Sequence, residues 1–124
     1  MTHYLIELYT PKTSWLNLAE PAKQAYLDQV KQGMAALSDL GVQILALAPA
    51  QANPQPQYDS PHRYVGIWAF PSPEVRQALL HGIAATGWYD YFDHVNASVD
   101  GGDLPSHLTD LFNDRSSPAQ TASA

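Results

Sequence analysis

The pattern that most constrains this chain is a repeated alternation. A strand-length segment, a helix-length segment and a second strand-length segment follow one another twice. His3 to Tyr9 reads with period 2, placing Tyr4, Ile6 and Leu8 on one side and His3, Leu5, Glu7 and Tyr9 on the other. Pro11 to Leu18 is a connector with a turn around Ser14 and Trp15. A helix is expected from Glu20 to Leu40. Pro21 suits its first turn, where a missing N–H leaves nothing unpaired, and Gly41 suits the residue past its end. Tyr26, Val30, Gly33, Met34, Leu37 and Leu40 form its apolar stripe. Val42 to Ala48 is an almost continuous apolar run and reads as the next strand.

Residues 49–62 contain four prolines among polar spacers, which rules out a regular element. A loop this long is expected to be a functional lid or disordered. Arg63 to Phe70 alternates again, Tyr64, Gly66, Trp68 and Phe70 against Val65, Ile67 and Ala69, and Gly66 marks a bulge or a close approach by backbone or ligand. Ser72 as cap, Pro73 in the first turn and Glu74 favourable to the dipole open a second helix. Val75, Leu79 and Ile83 carry it, and Gly87 ends it. Gly87 to Asn96 then reads as strand, with the fourth sheet strand over Tyr91 to Val99. Phe92, His94, Asn96 and Ser98 share one face; Tyr91, Asp93, Val95 and Ala97 share the other. Gly101-Gly102 breaks the chain, Leu104 to Phe112 reads as a short helix, and residues 113–124 as a flexible tail.

The order βαββαβ, with right-handed crossovers, interlocks into an antiparallel sheet ordered 4-1-3-2 with both helices on one face. That is a ferredoxin-like α+β fold, one domain over residues 1–112. The expected helix-covered face carries Ile6, Leu8, Val42, Ile44, Val65, Ile67, Val95 and Ala97. The opposite face, with Leu5, Glu7, Tyr9, Leu45, Leu47, Tyr64, Trp68, Phe70, Phe92, His94 and Asn96, is too apolar to meet water and is expected to pair with a second copy. The cavity would then lie between two sheets.

Composition narrows the function. The formal charge is −6, with six Lys and Arg against twelve Asp and Glu. A basic footprint for nucleic acid or anionic lipid is missing. No apolar run reaches the ~18 residues of a membrane span. The chain contains no cysteine, which excludes disulfides, thiolate metal sites and cysteine nucleophiles. A strand-like start without a signal-type segment makes cytoplasm the expectation.

This element order resembles the dimeric α/β-barrel superfamily of ferredoxin-like proteins. That superfamily includes antibiotic-biosynthesis-type monooxygenases, muconolactone-isomerase-like proteins, polyketide cyclases, stress-responsive barrel proteins and haem-dependent chlorite-dismutase-like enzymes. The stretches Ser60-Pro61-His62-Arg63-Tyr64 and Gly87-Trp88-Tyr89-Asp90-Tyr91-Phe92-Asp93-His94-Val95-Asn96 are also similar to a small uncharacterised bacterial family. The resemblance implies a homodimer and covers residues 1–100. It carries no catalytic motif, and fold analogy does not supply a reaction.

The candidate site follows from the predicted sheet. Glu7 and His94 share a face on adjacent strands. A carboxylate there would fix the imidazole tautomer and raise its basicity. Asn96 would polarise a substrate oxygen. Tyr9, Tyr64, Trp68 and Phe92 would wall a hydrophobic ligand, and His62 and Arg63 would meet an anionic group at the mouth. A one-residue slip would bring Asp93 inward in place of His94. Against this stands the plainer reading of a satisfied buried polar pair. His3 suits a surface or edge role, Trp15 and Trp88 would pin connectors, and His81 and His107 receive no role. No metal-ligand, phosphate-loop or nucleophile-elbow spacing occurs. Three functions fit: a cofactor-independent isomerase, lyase or monooxygenase-like enzyme with His94 as base; a non-catalytic ligand-binding or structural homodimer; and a haem- or metal-dependent barrel.

Overall fold

A computed structural model describes residues 1–116 of the chain; part of the expected tail, residues 117–124, lies outside the described residues. The elements among the described residues are β1 (His3–Pro11), α1 (Thr13–Leu16), α2 (Glu20–Ser38), β2 (Gln43–Pro49), β3 (Tyr64–Phe70), α3 (Pro73–Ala85), α4 (Trp88–Tyr91), β4 (Phe92–Asp100) and α5 (Leu104–Asn113), with a 3-10 turn at Pro56–Tyr58. The sheet runs β2-β3-β1-β4 with antiparallel neighbours, the expected 4-1-3-2 order read from the other edge. The fold is ferredoxin-like.

The covered face is the reverse of the sequence expectation. Leu5, Trp68, Phe70 and Leu79 form the buried core, with Met34, Leu37, Val75 and Ile83 packed against it from α2 and α3. The side bearing Ile6, Leu8, Val65, Ile67, Val95 and Ala97 is the open one, and Val95 is 52% exposed. Both faces are apolar, so alternation separates them without saying which is covered. Size decides: Trp68, Phe70 and Phe92 each remove more area from water than a Val or Ile, so covering that face gains more. The expected cavity between two sheets is corrected with it, because the site-bearing face lies beneath the chain's own helices.

Two local features place the site. Ser72 caps α3 through a hydrogen bond from the Val75 N–H, 3.2 Å long, as its sequence implies. At the other end Gly87 takes a left-handed conformation, φ 82°, and the chain turns through the one-turn helix α4 before β4 starts at Phe92. The expected continuous strand from Gly87 is therefore interrupted. The turn folds Trp88 back onto Phe92, ring centroids 4.0 Å apart and stacked. A second aromatic group, Trp15 with Tyr26 and Tyr91, joins α1 and α2 to α4, and the Tyr26 hydroxyl bonds Thr86 at 3.0 Å.

At the opposite end of the sheet, Arg76 from α3 bonds the Tyr4 and Val99 carbonyls and the Asp100 carboxylate. His3 bonds the same carboxylate at 2.9 Å, which gives it the edge role its position suggests. Hydrogen bonds from Arg76 and then His3 hold the Asp100 carboxyl below the usual carboxylate range. Asp103 caps α5, which presents Leu104, Leu108, Leu111 and Phe112 to solvent.

Candidate functional site

Alternation along β1, β3 and β4 brings Glu7, Trp68 and His94 to the covered face. In the register Glu7 lies opposite Gly66 on one side and Asn96 on the other, while Tyr9 lies opposite Tyr64 and His94. Glu7 is 3% exposed. Its Oε1 accepts the Trp68 indole N–H, and its Oε2 lies 3.1 Å from His94 Nε2. The Glu7–His94 pairing expected from the strand faces is present, and Asp93 is exposed on the other face, opposite Thr10.

The hydrogen bonds fix the imidazole. The Trp88 indole N–H, which can only donate, points at His94 Nδ1 over 2.9 Å. Nδ1 therefore carries the lone pair and Nε2 the proton. That proton is shared between Glu7 Oε2 and Asn96 Oδ1, the latter 2.6 Å away, and the Asn96 amide reaches the Tyr89 hydroxyl at 3.3 Å. A directional chain results: Trp88 donates to His94, and His94 and Trp68 donate to Glu7. The Trp88 N–H thus occupies the Nδ1 lone pair and leaves Nε2 as the nitrogen that donates. Asn96, read as a substrate contact, serves as a ligand to the imidazole.

Between the sheet and helices α2 and α3 lies a cavity of about 250 Å³. Glu7, Tyr9, Trp68 and Trp88 form its polar and aromatic floor, and Met34 and Ile83 belong to its apolar roof. His94, Asn96, Tyr64, Phe92, His62 and Arg63 are not among its lining residues. His94 supports Glu7 from behind, its side chain 1% exposed. Tyr64 and His94 stack on opposite sides of the Tyr9 ring, each at 5.6 Å, with Phe92 edge-on at 5.9 Å. His62 Nδ1 meets the Thr10 hydroxyl at 3.1 Å, and the Arg63 N–H donates to the same oxygen, so these two residues anchor the long loop to β1. Burial, then the neighbouring Glu7 charge, then Tyr64 push the Tyr9 phenol above its ordinary range, which keeps it a neutral donor.

Sequence reasoning missed Trp88, expected only to pin a connector, and the helical glycines Gly33 and Gly82, which line the cavity. A glycine inside a helix is disfavoured, so each was a legible signal of a packing or functional requirement. Trp88 carried no such signal, because its position over His94 depends on the α4 turn.

The donor set of the cavity does not fit haem or a metal ion. Among the described residues no group of three or more His, Asp and Glu side chains could hold a metal. Among the described residues, no imidazole lines the cavity. His94, the imidazole nearest Glu7, has both ring nitrogens engaged.

Fold and site together define a ferredoxin-like α+β protein with a carboxylate-floored cavity under its helices. Residues 2–114 match a family of unknown function, DUF6616, and the chain belongs to that family. No curated protein matches the sequence. Among solved structures it is similar to TA0507, described as a candidate chlorite dismutase, with a TM-score of 0.57, 10% identity, and coverage of 87% of this chain and 48% of that one. The chain thus spans about half the length of that structure, and the likeness is one of fold. Among the described residues, no helix is long and apolar enough to cross a membrane.

Proposed function

We propose that this protein binds a small, largely apolar molecule in the cavity between its sheet and helices α2 and α3, with Glu7 as the group that meets the ligand. One observation carries the reading: a buried carboxylate, held by two ring N–H donors, forms the floor of an otherwise apolar space. Folding alone does not call for that arrangement, since a buried charge costs heavily to desolvate and an apolar residue would fill the same volume. Indole N–H resonances test the proposal in a screen of small apolar molecules. A ligand in the cavity moves the Trp68 and Trp88 signals and leaves Trp15, which lies outside the lining, in place. Gly82→Leu, which fills the cavity, abolishes the response. Hits that move no indole, or move Trp15 alone, would sink the proposal.

A catalytic reading has one specific support. Tyr9 and Glu7 line the same floor, so a neutral phenol can hold a ligand oxygen while the carboxylate takes a proton from the adjacent carbon and returns it. Such cofactor-independent isomerisation makes Glu7 the base and His94 a positioning residue. Its signature is exchange of a ligand carbon-bound proton with deuterated solvent, lost in Glu7→Gln.

The open sheet face supports a homodimer. Ile6, Val95 and Val99 expose an aliphatic surface that continues through half-buried Ile67, with Asp93 at its edge beside the start of β4, so two copies can pair over the aliphatic part and leave the carboxylate at the rim. Light scattering is expected to give twice the chain mass, and Val95→Asp the single mass; a wild-type monomer at tens of micromolar would count against the pairing.

A further inference from the structure

The same cavity carries an inference about ligand class, which rests on the reading of it as a binding site. Glu7 is almost completely buried, and its partners are two ring N–H donors, the Trp68 indole and the His94 imidazole. Among the described residues, no Lys or Arg lines the cavity. The remaining ion pairs among the described residues, His3–Asp100 and Arg76–Asp100, lie at the far end of the sheet. The carboxylate is therefore hydrogen-bonded but not neutralised. Buried carboxylates are ordinarily paired with a cation, because neutral donors return only part of the lost hydration. Each Glu7 oxygen also keeps acceptor capacity beyond the N–H it already takes.

The walls specify the rest of the ligand. Tyr9, Trp68 and Trp88 surround Glu7 with aromatic rings, whose faces attract organic cations. Met34, Leu37 and Ile83 offer hydrocarbon contact. At Gly33 and Gly82 an added Cβ would meet nothing within 4 Å, so the two helices leave room where an alkyl or aryl tail would run. An inorganic divalent ion is a poor match, since it needs several oxygen ligands and this floor has one carboxylate. The excess of acidic residues over basic ones attracts cations to the surface and repels anions.

We propose that the cavity takes an organic ammonium ion with a small apolar or aromatic group, its N–H donors on Glu7 and its tail between Gly33 and Gly82. Trp68 and His94 then hold the carboxylate in place for the cation, and Trp88, donating to His94 Nδ1, orients the imidazole so that Nε2 faces Glu7.

The test is calorimetric titration of the full chain with three shape-matched probes: benzylamine, benzyl alcohol and benzoate. Benzylamine is expected to bind at least about tenfold tighter than benzyl alcohol, the scale set by exchanging a neutral for a charge-assisted hydrogen bond. Benzoate should not bind. Glu7→Gln removes the preference for the amine while the alcohol still binds, and Gly82→Leu removes binding of both. Should Glu7→Gln fail to fold, wild-type NMR replaces it: benzylamine must shift the Trp68 indole N–H, the donor to Glu7, further than benzyl alcohol does. Equal binding of amine and alcohol would overturn the ammonium assignment and leave the cavity as a site for neutral molecules. Benzoate as the tightest probe would overturn it as well. No binding by any probe, joined to indoles silent across the wider screen, would remove the binding-site reading itself.

Discussion

Trp68→Ala is expected to remove about half or more of the protein's folding stability. Two losses fall together. Trp68 is 5% exposed in the core with Leu5, Phe70 and Leu79, so its truncation opens a cavity costing about 3–5 kcal/mol. It also takes one of two ring donors from Glu7, and removing a partner from a buried acceptor costs about 1–3 kcal/mol more. The sum, roughly 4–8 kcal/mol, compares with a total stability of about 5–15 kcal/mol for a domain. Trp68→Phe keeps a six-membered ring in the core and deletes the N–H with the rest of the five-membered ring, so it is expected to cost the ~1–3 kcal/mol of the hydrogen bond plus a cavity cost smaller than that of Trp68→Ala. Urea titrations of wild type and both variants measure the difference. If Trp68→Phe proves as damaging as Trp68→Ala, the hydrogen bond to Glu7 dominates and the packing account is wrong. If it costs nothing, Glu7 does not depend on Trp68.

The site was legible to the extent that it depends on alternation. Period 2 along β1 and β4 is enough to put Glu7 with His94 and to send Asp93 the other way. Strand order followed from the handedness of two crossovers. What alternation cannot carry is the direction of the whole sheet. Ile6 and Leu5 are equally good strand residues, and only packing against Leu79, Leu37 and Met34 decides between them. The inverted assignment moved the cavity from a dimer interface to the inside of one chain. It also changed the roles of the pair, since Glu7 reaches the cavity and His94 stands behind it.

The hydrogen-bond chain into Glu7 was half legible for a related reason. Trp68 and His94 lie on regular strands, so their faces can be counted from Glu7. Trp88 lies on a one-turn helix launched by the left-handed Gly87, and no period links it to His94. The β2 edge behaves similarly. Its register shifts between Ile44 and Ala46, so the counted face of Leu45 and that of Leu47 part company at an irregularity that a continuous apolar run conceals. After the shift Leu47 lies opposite Gly66 and lines the cavity.

Gly66→Ala is expected to damage the site more than its single added carbon suggests. A Cβ at this position would lie 2.9 Å from Trp68 Nε1, 3.2 Å from Glu7 Oε1 and 3.2 Å from Leu47 Cδ1. Leu47, 47% exposed on an edge strand, can swing aside. Trp68 and Glu7 cannot, because both are buried and each holds the other. The new methyl therefore pushes directly on their hydrogen bond. Overpacking of this kind costs about 1–3 kcal/mol, against which replacing a strand glycine returns about 0.5–1 kcal/mol. The net effect is destabilising, with a displaced Trp68 indole N–H resonance and weaker ligand binding. Gly33→Ala makes the same chemical change in α2, where the added carbon meets nothing within 4 Å, and should stabilise by up to about 1 kcal/mol through helix propensity. The opposite signs separate a glycine required by close approach from one that leaves a space open. A Gly66→Ala protein as stable as wild type, with the Trp68 signal unmoved, would mean that the sheet yields at β3 and that the carboxylate floor is less rigid than its hydrogen bonds imply.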